Sequence, residues 1–455
     1  MPVQLIRAPR PTAVESSLPA RRRHASAGAP ARDPDRERRQ PADRSCCDAP
    51  LAADATATAR PRTYPFIDRV RGVAAVVIML HHLVGYVPAA DQSLPLPAPV
   101  HDFLWWYGGL AAQVFLVIGG FVGGLSLSRA TPDLAGLGRF LTSRYLRLAL
   151  PAVATLLYAI ALSAVVPAAW SAFPLFDHFS WTSVLAHVLL LQDILGYPSL
   201  LTGFWYLPVD WQCSGLLALL FVVHAAILRR HPALSPAARV ATFLGLAAPV
   251  AILSLFRWNG DPAHEPFATY YFGLVFLGAL ASLSAAGRIP PAVFRAYAAA
   301  CAVAVVLQGR PQPAVALAAG IAIHAVAARG ATAGPRSAPA WVKLFDGLGR
   351  ISYALFLVHY PTIWGVTSLG RGVAGDDPAA LAPWIGAAVP ASLAVAVLLH
   401  RFVELPAVTL AGRLKGRRET PAAHGAGAAP LPENAASVAR QAASTAGLST
   451  PAIAT

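Results

Sequence analysis

Residues 103–127 read FLWWYGGLAAQVFLVIGGFVGGLSL, a run without a charged side chain. An α-helix needs about 20 predominantly apolar residues to cross the hydrocarbon core of a bilayer, so this run is long enough. The glycines at 119, 120, 123 and 124 have the spacing that lets two membrane helices pack closely. The stretch therefore predicts a transmembrane helix with a close helical neighbour.

The composition of the whole chain also indicates a membrane protein. Of the 455 residues, 56% are hydrophobic and 13% are charged, whereas a soluble domain carries about 25% charged residues. The net charge of +14 would suit a nucleic-acid partner only if the basic residues formed a patch on a folded surface. They lie instead in an N-terminal tail and at the ends of apolar runs. We therefore exclude a soluble enzyme and expect no nucleic acid as partner.

Cysteines and other metal-binding residue types are too sparse to form a recognisable site. The four cysteines, at 46, 47, 213 and 301, do not have the spacing of a disulfide framework. No cluster of His, Cys and Asp has the spacing of metal ligands, so we expect no metal.

Apolar runs of spanning length follow one another between about 70 and 403. They lie at about 70–87, 103–127, 148–169, 205–228, 239–256, 268–286, 292–307, 313–328, 347–369 and 383–403. The pattern predicts an all-α, polytopic membrane protein with about ten transmembrane helices. We expect it in the inner or plasma membrane of the cell, in contact with membrane lipid.

The distribution of basic residues orients these helices. Arg69 and Arg71 precede the first span, which places the N-terminus in the cytoplasm by the positive-inside rule. With ten spans, the remaining basic clusters and the C-terminus also lie inside. The run 181–197 is interrupted by polar residues, and if it crossed the bilayer every cluster from Arg229 onward would lie outside. We therefore interpret 171–204 as an outside-facing loop with a re-entrant or interfacial helix.

The two ends of the chain differ in composition from the membrane part. Residues 1–63 and 419–455 are rich in Ala, Pro and other residues that cannot build a core, so both predict disordered tails. The N-terminal tail is basic, which favours either contact with anionic lipid headgroups or simple solvation. The membrane domain is thus expected to span 64–418.

Ionisable residues inside the predicted spans are candidates for function, because burying one at the bilayer centre costs about 2.5–3.5 kcal/mol on insertion scales. Arg71 and His82 lie on one face of the first span, 11 residues or roughly 16 Å apart along a helix. His81 is rotated from His82 by about 100°. The alternative for either histidine is a plain hydrogen bond to a neighbouring helix.

Further candidates lie at both ends of later spans. Arg144 and Arg147 are three residues apart, so they suit either a phosphate group or topological anchoring. Asp210 lies beside aromatic residues of the outer interface, where it is either functional or merely solvated. The last two spans carry His359 and Glu404.

Five stretches together resemble the acyltransferase 3 family of multi-pass membrane O-acyltransferases, from about Tyr64 to Pro406. They are residues 68–75 followed by His82, 114–121, 144–147, 205–212, and 348–361 followed by 401–406. Two positions depart from the family's pattern. Gly119 stands where a Ser is common, and Asp210 stands where the family usually has a Glu.

The resemblance implies a reaction as well as a fold. Members of the family move an acyl group, often acetyl, from a cytoplasmic thioester to a hydroxyl of a carbohydrate, a lipid-linked glycan or a secondary metabolite. Acyl-CoA, as acetyl-CoA, is then the expected co-substrate, and its phosphates suit Arg71, Arg144 and Arg147.

The resemblance also suggests the catalytic side chains. His82 would take a proton from the acceptor hydroxyl or accept the acyl group itself, and the sequence leaves both routes open. Asp210 would orient the acceptor from the outer side. In supporting roles, Glu404 would hold Arg71, unless it pairs with Arg401, and His359 would assist.

The alternative interpretation is a proton-coupled transporter or exporter. In that case His82, Asp210, His359 and Glu404 would relay protons instead of transferring a group. No internal repeat of fixed period is visible in the sequence, which weakens the transporter interpretation without excluding it.

Overall fold

The computed structural model describes residues 64–414, except 88–89, 95, 130–132, 172–174, 177–178 and 331–338. Every regular element in this part of the chain is a helix, which confirms the all-α prediction. The two predicted tails, 1–63 and 419–455, lie outside the described residues.

The helices follow the order of the predicted spans. They are α1 (Pro65–Tyr86), α2 (Ala90–Ser93), α3 (Ala98–Tyr107), α4 (Ala112–Leu127), α5 (Leu134–Val165), α6 (Trp181–Val188), α7 (Tyr206–Arg230), α8 (Pro236–Leu253), α9 (Ala268–Ala285), α10 (Pro291–Gln308), α11 (Pro311–Ala328), α12 (Ala340–Ala374), α13 (Pro378–Leu399) and α14 (Leu405–Leu414). Short π-helical turns, Ser254–Trp258 and His400–Glu404, continue α8 and α13. A 3₁₀ turn, Gly108–Ala111, joins α3 to α4.

Local sequence explains where several of these helices begin. Prolines occupy the first helical position of α1, α8, α10, α11 and α13, where the missing N–H costs no hydrogen bond. Side chains of Asp133, Ser235 and Asp377 cap the first backbone N–H groups of α5, α8 and α13.

Eight helical segments among the described residues are long and apolar enough to cross a membrane, judged by length and composition. The two predicted spans that fall short of this criterion are α1 and α12, which contain ionisable and other polar side chains. These are also the helices that carry Arg71, His82 and His359. They pack against each other rather than standing alone, as polar membrane helices are expected to do.

Helices α1 and α12 run parallel in a constant register. Arg69 bonds Asp346, Gly72 meets Gly349, and His82 bonds His359, so each residue pairs with the one 277 positions later. The two glycines make this possible, because a Cβ on Gly72 would lie 2.6 Å from the backbone nitrogen of Gly349. Backbone contact at the glycines thus brings the two histidines together ten residues further along.

The predicted close packing of residues 103–127 occurs between α4 and α9. A Cβ on Gly120 would overlap the carbonyl of Val275, and one on Gly278 would overlap the carbonyl of Val117. Helix α9 is buried along almost its whole length, so it lies inside the domain and not at a lipid-facing surface.

The segment between α5 and α7 does not cross the domain. Its helix α6 has 8 residues, far short of the roughly 20 that a span requires. The hydroxyl of Tyr145 donates to the carbonyl of Val188, and Tyr145 lies about 16 Å from the start of α5. The contact favours the re-entrant over the interfacial interpretation, because it places residue 188 at the depth of Tyr145.

Side chains form hydrogen bonds with backbone groups of this re-entrant segment that no helix pairs. The N–H of Leu200 donates to Nε2 of His187, and the amide of Gln192 donates to the carbonyl of Phe204. Non-helical backbone is tolerated at membrane depth only where protein or a cavity surrounds it. Here the segment lies between α5, α7 and the aromatic residues of α12.

Candidate active site

A cavity of about 150 Å³ lies among α1, α4, α5, α7, α12 and the C-terminal helical turns. Its lining includes five of the residues that the sequence singled out, namely Arg71, Arg144, Arg147, Asp210 and Glu404. The other lining residues are Phe115, Ile118, Gly119, Val122, Leu148, Tyr206, Tyr353, Phe356 and Val408. Residues that are far apart in sequence thus form one site with both charges and aromatic rings.

The most buried ion pair of the cavity joins Arg144 to Asp210. Nη2 of Arg144 lies 2.7 Å from Oδ1 and Nε lies 3.1 Å from Oδ2 of Asp210. The hydroxyl of Tyr206 lies 3.4 Å from Oδ1 and donates to it. The carboxylate of Asp210 is 7% exposed, and a charge in such a place needs a partner of this kind.

The position of Asp210 differs from the one expected from sequence. The aromatic neighbours of Asp210 predict the outer interface, and the positive-inside rule predicts an inner loop for Arg144, yet the two side chains are bonded. Helix α5 begins at Leu134, so Arg144 lies ten residues, or about 15 Å, into the helix. Helix α7 begins only at Tyr206, after the re-entrant segment, so Asp210 faces the same cavity as Arg71.

Arg71 and Glu404 also line the cavity, and each has a different partner. Nη1 of Arg71 lies 3.5 Å from Asp68, whose side chain is 56% exposed. Oε2 of Glu404 lies 2.9 Å from Nδ1 of His400, within the π-helical turn. The expected ion pairs of Glu404 with Arg71 or with Arg401 are not formed in the described part of the chain, where Glu404 bonds His400 instead. Glu404 and Arg71 nevertheless line the same cavity.

His82 and His359 form a buried pair next to the cavity. Nδ1 of His82 lies 2.6 Å from Nε2 of His359, and the ring planes are within 9° of parallel. Nδ1 of His359 lies 2.9 Å from the carbonyl oxygen of Leu355. His82 is 7% exposed and His359 is fully buried. The sequence predicts both residues, but only the structure shows that they are bonded.

His81 has a different environment from His82. Its Nδ1 lies 2.7 Å from the carbonyl of Leu104, so it donates to the end of α3. Gly108 and Gly109 pack directly on its side chain, and a Cβ at either position would come within 3.0 Å of it. His81 therefore holds the turn between α3 and α4, and His82 is the histidine next to His359.

Aromatic residues connect the cavity to the histidine pair, and the sequence analysis did not single them out. Phe356 lines the cavity, and its ring centroid is 6.4 Å from that of His359. The rings of Phe115 and Tyr206 lie 5.9 Å and 5.6 Å from Phe356. All three residues lie inside the stretches that resemble the family, so the sequence does contain a signal for them. Their proximity to one another depends on tertiary contacts.

In the part of the chain that the structure describes, no group of three His, Cys, Asp or Glu side chains is arranged to hold a metal ion.

Comparison with protein families gives one match. A family model described as an acyltransferase domain matches residues 64–401, which include α1 to the beginning of the last π-helical turn. Of the candidate residues, only Glu404 lies beyond the matched region. Comparison with curated proteins and with solved structures gives no match.

Proposed function

The chain belongs to the acyltransferase 3 family, and we propose that it is an O-acyltransferase that uses cytoplasmic acyl-CoA. The proposed acyl group is acetyl, and the proposed acceptor is a hydroxyl of a carbohydrate, a glycan or a secondary metabolite. The observation that carries the proposal is the juxtaposition of an arginine-lined cavity with a buried histidine pair. The family establishes an acyltransferase, and this juxtaposition supports the finer assignment.

The cavity suits the thioester end of the donor better than the whole molecule. Its volume of about 150 Å³ is below the roughly 300–1,000 Å³ of pockets that enclose a drug-sized ligand. The nucleotide of acyl-CoA would therefore remain at the mouth, with its phosphates near Arg71 and the exposed Arg147. Arginine binds phosphate oxygens in a fork, so two such side chains give a specific site for an anionic donor.

Arg144 has a different role in this proposal. Its guanidinium is already bonded to both oxygens of Asp210, which leaves it less able to bind a phosphate. We assign to it the positioning of the cavity wall, and to Arg71 and Arg147 the contacts with the donor.

The chemistry assigned to His82 is that of a general base. Its imidazole takes the proton of the acceptor hydroxyl as the oxygen attacks the thioester carbonyl. A new C–O bond forms, the C–S bond breaks, and the leaving thiolate takes the proton back from His82. The products are an ester and free coenzyme A.

The test compares acyl transfer by the parent protein, His82→Ala and the control His231→Ala in cell membranes. His231 lies in the exposed connection between α7 and α8, so its replacement preserves the site. Labelled acetyl-CoA is supplied, and the ester-linked label in glycans and small molecules is measured. We expect His82→Ala to abolish the label at an unchanged amount of protein.

Two outcomes would contradict the proposal. Ester formation by His82→Ala at the parent rate would exclude His82 as the base. Movement of a substrate across the membrane by the parent protein, without any new ester, would instead support the transporter interpretation.

A further inference from the structure

We propose that His359 is a positioning residue that leaves Nε2 of His82 free to take a proton and then shares the resulting positive charge. The inference rests on the function proposed above. This role accounts for the presence of a second buried imidazole, rather than a carboxylate, at hydrogen-bond distance from His82.

The hydrogen bonds fix which nitrogen of each ring carries the hydrogen. The carbonyl oxygen of Leu355 can only accept, so Nδ1 of His359 donates to it. A neutral imidazole has one N–H, and Nε2 of His359 is therefore an acceptor. Nδ1 of His82, at 2.6 Å, must donate to that acceptor. Nε2 of His82 is left with a lone pair.

The surroundings of the pair make charge sharing useful. Among the described residues no carboxylate bonds either ring; the titratable groups that face His82 are His81, Tyr86 and Tyr360, with ring centroids 5.2–6.2 Å away. A buried charge without a partner is costly. When Nε2 of His82 takes a proton, Nδ1–H becomes a charge-assisted donor to neutral His359 and can pass its proton across the short bond.

Helical backbone positions the histidine pair, because His82 lies within α1 and His359 lies within α12. The same register that joins Arg69 to Asp346 and Gly72 to Gly349 joins the two histidines. His359 therefore orients the base as the Asp orients the His in a Ser-His-Asp triad, and here the partner is neutral before the reaction.

Three variants test separately whether His359 must accept a hydrogen bond from His82 and whether it must also take up a proton. In His359→Gln, the side-chain carbonyl can accept from Nδ1 of His82 but cannot take a proton. In His359→Phe, a ring remains but there is no acceptor. His231→Phe is the matched control, since it replaces a histidine by the same residue in the exposed connection between α7 and α8.

We expect the three variants to differ in kcat at an unchanged KM for acetyl-CoA. His359→Phe should lower kcat by about 10²–10⁴-fold, the contribution typical of a positioned acid–base group. His359→Gln should fall between His359→Phe and the parent, with its pH–rate profile displaced from that of the parent. His231→Phe should keep the kcat and the profile of the parent.

A direct measurement avoids reliance on the folding of these variants. The ¹⁵N spectrum of histidine-labelled parent protein in detergent shows which ring nitrogens are protonated, and His82→Gln identifies the signals of His82. We expect protonated Nδ1 and unprotonated Nε2 on His82. The opposite tautomer would overturn the inference.

The kinetic outcomes distinguish this inference from the proposed function. A His359→Phe protein with the kcat of the parent would overturn the positioning role, while an inactive His82→Ala protein would still support the function. An active His82→Ala protein would remove both.

Discussion

At the scale of single residues, the buried pair of Arg144 and Asp210 separates two kinds of arginine in one cavity. Arg144 makes three hydrogen bonds of 2.7–3.1 Å to a carboxylate that water barely reaches. Among the described residues, the ion pair of Arg71 is with a largely exposed carboxylate at 3.5 Å. The amino-acid sequence alone does not distinguish the two arginines, since the difference depends on where Asp210 lies.

The first prediction concerns the stability of this pair. Asp210→Asn leaves Arg144, whose side chain is 23% exposed, as a partly buried cation without a counter-charge, and the cost should lie below the roughly 3–5 kcal/mol of breaking a fully buried pair. We expect a lower melting temperature in detergent for Asp210→Asn than for the parent. The double variant Asp210→Asn with Arg144→Met removes both charges, so it should melt closer to the parent than the single variant does.

The control for this experiment is Arg147→Gln, which removes an exposed charge from the same cavity. We expect its melting temperature to stay near that of the parent. If the double variant loses as much stability as Asp210→Asn and the single variant Arg144→Met added together, the pair is not energetically coupled and its positioning role is wrong.

At the scale of helices, the pairing of α1 with α12 determines the geometry of the histidine pair. Both helices were predictable as apolar runs with functional candidates, but their parallel contact was not. The sequence holds one signal of it, because Gly72 precedes His82 by the same ten residues that separate Gly349 from His359. That spacing becomes informative only when the two helices are known to touch.

The second prediction tests this contact at Gly349. A Cβ there would overlap the carbonyl of Asp68 on α1, so Gly349→Ala should push the helices apart, and overpacking of this kind costs about 1–3 kcal/mol. We expect a lower melting temperature, and also a loss of acyl transfer because the bond between His82 and His359 lengthens.

Gly347→Ala is the matched control on the same helix. Its Cβ would meet only the flexible end of Arg350, at 3.8 Å. Alanine also favours helix over glycine by up to about 1 kcal/mol, so this variant should be at least as stable as the parent and equally active. Equal behaviour of the two alanine variants would show that the glycine contact does not position the histidines.

At the scale of the whole molecule, the charge distribution predicted one feature of the path of the chain and did not predict the depth of individual side chains. The bias of basic residues predicted about ten spans and a segment that does not cross, and the short helix α6 agrees with this. The depth of Asp210 was not predictable, because aromatic residues mark both a lipid interface and the wall of a cavity. The hydrogen bonds of the re-entrant segment, which join His187 to Leu200 and Gln192 to Phe204, involve backbone groups that the sequence does not reveal.

The same segment gives the stability of the whole domain a dependence on pH. Asp193 lies between α6 and α7, and its Oδ2 atom is buried without a hydrogen-bond partner among the described residues. Burial raises the pKa of Asp193 to about 7, whereas an aspartate in an unfolded chain has a pKa near 3.9. Between these two values the folded protein keeps a proton that the unfolded chain has lost. The contribution of Asp193 to stability therefore falls as the pH rises through this interval and is constant above it.

The third prediction follows from the direction of that pKa shift. Asp193→Asn removes the titration, so its melting temperature relative to the parent should be close to constant below pH 4, rise between pH 4 and 7, and level off above pH 7. The control Asp102→Asn changes an aspartate whose side chain is 68% exposed and lies outside the re-entrant segment, and its melting temperature should stay near that of the parent. Comparing the melting temperature of each variant with that of the parent at the same pH removes the contributions of the other titrating groups, which all three proteins share. A melting difference for Asp193→Asn that is independent of pH would mean that this carboxyl is ionised in the folded protein, and that the re-entrant segment is open to water at Asp193.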